Sequence, residues 1–122
     1  MKVFAISVLL LCVMLLGIVW NCIYIDEVTS TMDRLLDRLP SIGEENCVRE
    51  IEAMREYWNS RADTIGLTVA FPIVDRINEQ TEALLTCAQV GDVYGFAVAR
   101  ALLRDAIEDA RRLERFSIAN LL

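Results

Sequence analysis

An uncharged stretch near the start of the chain constrains its structure more than any other feature. No charged side chain occurs between Val3 and Ile25. A helix of this length rises roughly 34 Å at about 1.5 Å per residue, enough to cross a hydrocarbon core about 30 Å thick. Trp20 and Tyr24 lie near its end, and their amphipathic rings favour the headgroup region. The sequence therefore predicts a transmembrane anchor over residues 1–25, with Trp20 and Tyr24 at the membrane interface.

A cleaved signal peptide is the competing interpretation of this stretch. Signal peptides have an apolar core of about 7–15 residues and end in small residues. Here the apolar run is longer, and the residues near its end are Trp20, Asn21, Cys22 and Ile23. None of them provides a small-residue cleavage site. We therefore expect the anchor to be retained, with a secreted domain after cleavage as the alternative.

The charges that flank the span predict its orientation. Lys2 precedes the span, whereas Asp26 and Glu27 follow it directly and Arg34 is the first later cation. The side with the positive excess normally stays in the cytoplasm. We therefore expect a single-pass protein of the cell membrane, with a cytoplasmic N-terminus and an extracytoplasmic domain over residues 26–122.

Composition limits the chemistry of this domain. The chain has 122 residues, which leaves one small domain behind the anchor. Its formal net charge of −6 argues against a nucleic-acid interface, which needs a dense basic surface. The chain contains no histidine and no C-x-x-C spacing, so we expect no zinc site. Since no carboxylate is marked out beside a nucleophile either, we expect no catalytic residues and no cofactor.

Apolar spacing predicts four helical stretches. The first continues the span to Leu39 and is stopped by Pro40, because the residue before a proline disfavours helix. The second begins near Ser41, where Ser41 and Glu44 match a capping box. The third has Pro72 in its first turn, and the fourth is capped by Asp92. The apolar stripes after the anchor consist of Val28, Met32, Leu35, Leu39, Cys47, Ile51, Met54, Trp58, Ala62, Ile65, Ile73, Ile77, Leu84, Ala88, Phe96, Ala99, Leu103, Ala106, Ala110 and Leu113. Leu102 and Ile107 are expected to widen the apolar face of the fourth helix.

The predicted fold class is all-α. No segment alternates with period two over a convincing length, and the short connections suit antiparallel helical neighbours. We expect an N-terminal transmembrane helix followed by a small antiparallel bundle of three to four helices. The tail Phe116–Leu122 is too apolar for a free end, so we expect it to dock back on the bundle.

Two cysteines of the soluble part are candidates for a disulfide. If the second and third helices form a hairpin that turns near Leu67, positions whose numbers add to about 134 face each other. Cys47 and Cys87 meet this condition. A disulfide here would stabilise the fold by roughly 4 kcal/mol, less any strain, by restricting the unfolded chain. The alternative is two buried free thiols at small core positions.

For two further sets of side chains, a binding role is weighed against a purely structural role. Trp58 lies on the apolar stripe, and we interpret it as a core residue rather than a platform for a ligand. Four arginines form a ridge on the fourth helix, which is a candidate surface for an anionic partner. Its members are Arg100, Arg104, Arg111 and Arg115. A solvated face that pairs with nearby carboxylates is the simpler interpretation of this ridge.

Several segments together carry a family resemblance. The chain has a single anchor, the stretch Glu44–Glu50, the sequence Glu56-Tyr57-Trp58, the helix Ile73–Ile77 and the ending Phe116–Leu122. This pattern resembles the DUF4363 family of single-pass bacterial membrane proteins, found mainly in Gram-positive anaerobes of the clostridial type. Relatives often carry a histidine near the start of the third helix and near the end of the fourth, and this chain has neither. The family has no established activity, so the resemblance implies a fold and a location but no reaction.

The function that we expect is a membrane-anchored, non-catalytic interaction or scaffold module at the outer face of the cytoplasmic membrane. Its partners would be the lipid bilayer and either a second copy or an integral membrane protein, without nucleic acid. The principal alternative is an extracytoplasmic bundle that senses a small ligand between its helices.

Overall fold

The computed structural model describes residues 1–65 and 71–121, and within them all side chains except those of residues 63–65, 71, 114, 116–118, 120 and 121. Four helices account for most of the described chain, and no strand occurs within it. Their bounds are α1 Lys2–Asp37, α2 Cys47–Ile65, α3 Phe71–Val90 and α4 Val93–Leu121. The predicted all-α fold class is confirmed.

The helices form an antiparallel bundle in which each packs against two neighbours. Contacts join α1 to α2, α2 to α3, α3 to α4, and α4 back to α1. The core therefore receives one stripe from every helix, as the periodic apolar positions predict. Leu113 is an exception, because this predicted core position is 38% exposed. The buried hydrophobic members of the core are Ile25, Val28, Met32, Leu36, Leu39, Cys47, Ile51, Met54, Trp58, Val74, Ile77, Leu84, Leu85, Phe96, Ala99, Leu103, Ala106, Ile107 and Ala110.

Helix α1 has two parts with different surroundings. Its first part is long and apolar enough to cross a membrane, and none of its 18 most apolar consecutive residues is buried in the bundle. Its second part is one of the four bundle helices, with Ile25, Val28, Met32 and Leu36 in the core. The prediction that the apolar span continues into the domain without a break is correct. Packing against the bundle already begins at Cys22.

The start of α2 differs from the sequence prediction. The helix begins at Cys47, six residues after the predicted cap at Ser41. Gly43 lies between them with a φ of 96°, which is incompatible with a right-handed helix. The amide of Glu44 donates to the Ser41 carbonyl, so these residues form a turn instead of a capping box. The capping-box prediction is therefore wrong.

The connection between α3 and α4 follows the prediction closely. Gly91 ends α3 with a φ of 78°, the left-handed conformation that glycine adopts most easily. The Asp92 carboxylate accepts a hydrogen bond of 2.9 Å from the Gly95 amide. Asp92 is thus the N-cap of α4. Pro72 lies in the first turn of α3, as expected.

The two remaining predictions fall largely on undescribed parts of the chain. The expected turn near Leu67 is outside the described residues. The tail continues α4 as a helix as far as Leu121. Most of its side chains are outside the described ones, so docking of the tail on the bundle stays a prediction.

Candidate interaction surface

The arginine ridge of α4 makes polar contacts with α1. Arg100 donates to the Leu36 carbonyl over 3.0 Å, and Arg104 forms an ion pair with Asp37. Both contacts lie at the C-terminal end of α1, where cationic side chains interact favourably with the last carbonyl groups of the helix. The structure therefore favours a structural role for Arg100 and Arg104.

Arg111 is the centre of a half-buried polar cluster between α1 and α4. Its guanidinium lies 2.8 Å from an Asp33 carboxylate oxygen and donates to the Ser30 hydroxyl over 2.9 Å. It also donates to the Thr29 hydroxyl over 3.3 Å. Burial raises the pKa of Asp33 more than the adjacent Arg111 lowers it. Of the four ridge arginines, Arg104 and Arg115 are exposed, and Arg100 and Arg111 are half-buried.

Trp58 is a core residue, as predicted. Only 1% of its surface is exposed, and its indole nitrogen donates to the Asn78 side-chain oxygen over 2.6 Å. A buried indole N–H needs such a partner, which explains the polar residue at this position of α3. Tyr57 is half-buried, and the Arg61 guanidinium lies 3.8 Å from its ring centre.

Cys47 and Cys87 are free thiols in the structure. The register predicted for their helices is nearly correct, because Trp58 contacts Asn78 and Arg55 contacts Glu82. Burial, and secondarily the nearby Glu44 carboxylate, raises the pKa of the Cys47 thiol. The disulfide stays a prediction beside the alternative of two free thiols.

The predicted interface aromatics differ in their surroundings. Trp20 is 77% exposed and lies on the part of α1 outside the bundle. Tyr24 is half-buried and packs against the core. Trp20 is therefore available to a lipid headgroup region, whereas Tyr24 also belongs to the bundle.

A surface that sequence analysis missed lies on the first turns of α4. Six exposed side chains without charge cover about half of the helix circumference there, on the side opposite the core. We call them the distal α4 face, because they lie at the end of the bundle farthest from the apolar part of α1. Its members are Val93, Tyr94, Ala97, Val98, Ala101 and Leu102.

The exposure of this face is large for its residue types. Tyr94 is 82% exposed and Val93 68% exposed, and Val90 beside them is also exposed. The signal in the sequence was a second four-residue repeat on α4, formed by Tyr94, Val98 and Leu102. The prediction that Leu102 widens the core face is wrong, because Leu102 is 45% exposed. Contiguous exposed apolar patches of this kind commonly mark interaction sites.

Open clefts flank α4, and two of them adjoin the distal α4 face. One of about 460 Å³ lies between the 38–46 connection and the start of α4, and Ile42, Phe96 and Arg100 contribute to its lining. The other, of about 400 Å³, lies between α3 and α4 and is mostly charged. Arg76 and Asp109 form an ion pair in it. The first cleft adjoins the distal α4 face, so a partner that covers that face would meet the cleft as well.

The described residues contain no group of three or more His, Cys, Asp or Glu side chains that could hold a metal ion. The main feature of the described surface is the exposed apolar area of the distal α4 face. The fold and the distal α4 face together define a helical bundle with one uncovered apolar helix face and an apolar helical extension. No family model, no curated protein and no solved structure matches the chain.

Proposed function

We propose that this protein is a membrane-anchored, non-catalytic interaction module whose bundle binds a partner through the distal α4 face at the outer surface of the cytoplasmic membrane. The observation that carries this proposal is the uncovered face itself. A stable bundle does not need six uncharged exposed residues on one side of a helix, because the core stripe lies on the opposite side.

Anchoring is supported by the apolar part of α1. Its side chains are exposed, so they contribute nothing to the core of the bundle and would be costly to leave in water. The flanking charges, Lys2 before the span and Asp26 with Glu27 after it, support an extracytoplasmic bundle. The resemblance to the DUF4363 family agrees with this arrangement, and membership of that family stays a prediction.

A second copy of the chain is the partner that we propose. Copies anchored in one membrane by the same span hold their distal α4 faces at the same height and in the same orientation. A two-fold axis along the membrane normal would then bring the two faces together as a self-complementary interface. Ala97 and Ala101 lie at the middle of the face, and small residues there allow two helices to approach closely.

The experiment compares two variants of the full-length protein, purified in mild detergent, in which an alanine is replaced by glutamate. Ala101→Glu places a charge in the distal α4 face, and Ala53→Glu places the same charge on an exposed position of α2. We expect the wild-type protein and the α2 variant to be dimers, and the α4 variant to be a monomer. Analytical ultracentrifugation measures the oligomeric state.

Other outcomes separate the alternatives. A monomeric wild-type protein would contradict the second copy as partner, and a stoichiometric membrane protein lost only from the α4 variant would replace it. A retained small molecule would favour the ligand-sensing bundle. A mature mass below the 13.8 kDa of the full chain, together with release from membranes by alkaline carbonate, would favour the secreted form.

A further inference from the structure

The contacts between α1 and α4 define the level at which α4 ends. Arg111 contacts Thr29, Ser30 and Asp33, and the helices run antiparallel. From Arg111 to Leu121, α4 advances about 15 Å, since each residue rises about 1.5 Å. The same distance along α1, from its contact with Arg111 towards the N-terminus, reaches about Asn21. The end of α4 therefore lies within about one turn of Trp20.

Burial along α1 agrees with this register. Cys22 and Ile25 are buried, whereas Val19 and Ile23 on other sides of the same turns are exposed. Among the described residues α1 contacts only α2 and α4. One side of α1 is therefore covered by the bundle down to the level of Cys22, within the stretch that we assign to the anchor.

The outer side of α4 changes in composition along its length. After the distal α4 face comes a charged band whose exposed or half-buried members are Arg104, Asp105, Glu108, Asp109, Arg112 and Arg115. From Phe116 to Leu121 the sequence contains no charge. This order, charged residues followed by an uncharged end, is the order expected of a helix that leaves water and enters a lipid interface.

We propose that the last turns of α4, residues 116–121, lie in the headgroup region of the outer leaflet and form a second membrane contact of the bundle. This inference rests on the proposed anchoring by α1. Arg112 and Arg115 are exposed one to three turns before the end of α4, at the height where guanidinium groups bind lipid phosphates. The occupant of this end of α4 is thus the bilayer that α1 crosses.

A second contact restricts how the bundle moves on its anchor. A bundle held by one helix can tilt and rotate about that helix. Two contacts keep α4 upright, so that the distal α4 face stays at a constant height above the membrane. The proposed pairing of two copies depends on such a constant height.

The experiment exploits two equivalent positions on α4. Ala101 and Ala119 are both exposed, and they lie 18 residues apart, which is five helical turns or about 27 Å along the same side of the helix. Benzoylphenylalanine, a photo-crosslinking residue, replaces Ala119, Ala101 or Val13 in the full chain, reconstituted in phosphatidylethanolamine–phosphatidylglycerol vesicles. After illumination, mass spectrometry identifies what each position has captured. Val13 reports on insertion of α1.

We expect lipid adducts at positions 13 and 119 and none above background at position 101. A lipid adduct at 13 with no lipid adduct at 119, or with only a protein adduct there, would overturn the second contact while the anchor stands. Lipid adducts at all three positions would also overturn it, because the bundle would then lie flat on the membrane. No lipid adduct at 13 would reject the anchor and this inference with it.

Discussion

The bundle has two antiparallel helix pairs, α2 with α3 and α1 with α4, that are held together differently. Between α2 and α3 the central contact is the buried indole of Trp58, whose one polar atom donates to Asn78. Between α1 and α4 the central contact is a guanidinium, Arg111, surrounded by two hydroxyls and the Asp33 carboxylate. The first pair combines apolar burial and the indole hydrogen bond with an exposed ion pair between Arg55 and Glu82, and the second has a half-buried charged cluster.

The difference has a physical consequence. Burial of an aromatic side chain is strongly stabilising through its large apolar area, whereas a guanidinium with several directed partners is satisfied only when all of them are in place. The charged cluster joins α1, whose first part is long and apolar enough to cross a membrane, to α4, which carries the distal α4 face. We infer that the directed contacts of Arg111 fix the register between α1 and α4, and with it the position of the distal α4 face relative to α1.

Loss of the Trp58 side chain has the largest expected effect. Trp58→Ala removes a fully buried side chain and leaves a cavity, which costs about 3–5 kcal/mol. Trp58→Phe keeps most of the volume but leaves the Asn78 oxygen without its donor, and we expect a loss of about 1–3 kcal/mol. Thermal and denaturant unfolding in mild detergent, followed by circular dichroism, measures both. Equal losses for the two variants would show that the hydrogen bond, not the packing, dominates.

Removal of the central guanidinium comes next. Arg111→Met leaves the Asp33 carboxylate half-buried without its counter-ion, and we expect the free energy of unfolding to fall by about 1–3 kcal/mol. The neighbouring exposed Arg112 offers a matched control, because Arg112→Met should change stability by less than about 0.5 kcal/mol. The same unfolding measurement compares them. Similar losses in both variants would contradict a special role for Arg111.

The carboxylate of the same cluster should behave differently from its partner. The pKa of Asp33 is raised above 3.8, so the folded state holds this proton more tightly than the unfolded state does. Its contribution is fully present below pH 3.8 and is lost as the pH rises through the folded value. As the pH rises from 3 to 7, the stability of Asp33→Asn should therefore increase relative to that of the wild type. Denaturant unfolding of both proteins across this pH range tests the prediction. A loss of stability of the variant relative to wild type as the pH rises would show that Arg111 lowers the pKa of Asp33 more than burial raises it.

The smallest expected effect belongs to the exposed ion pair of the other helix pair. Arg55 and Glu82 lie 3.2 Å apart on the surface of α2 and α3. Arg55→Ala should cost about 0.2–1 kcal/mol, because exposed ion pairs are screened by water and salt. The difference from wild type should shrink further in high salt. A loss as large as that of Arg111→Met would remove the distinction between the two helix pairs.

Helical periodicity predicted the core well because it depends on local spacing. The stripes of α2 and α4 place Ile51, Met54, Trp58, Leu103 and Ala106 in the core, as expected. Caps were predictable only where one residue decides the conformation. Asp92 caps α4 as predicted, whereas the pattern at Ser41 and Glu44 was overridden by the turn at Gly43.

The candidate surface was less predictable, because exposure depends on what lies opposite a residue. Tyr94, Val98 and Leu102 are apolar and regularly spaced, so the sequence alone does not distinguish them from core positions. The arginine ridge presents the converse problem. Its charges suggested an external anionic partner, but Arg104 and Arg111 contact carboxylates on α1.

The sequence by itself determined that this chain is helical, that its first part is long and apolar enough to cross a membrane, and which stripes are apolar. These properties depend on composition and on spacing within single helices, so no neighbouring helix is needed to infer them. Only the tertiary structure decided that α4 packs against α1 and extends to the level of Trp20, and that one apolar face of α4 is uncovered. These depend on which helices become neighbours and in which register, and contacts between distant residues determine both.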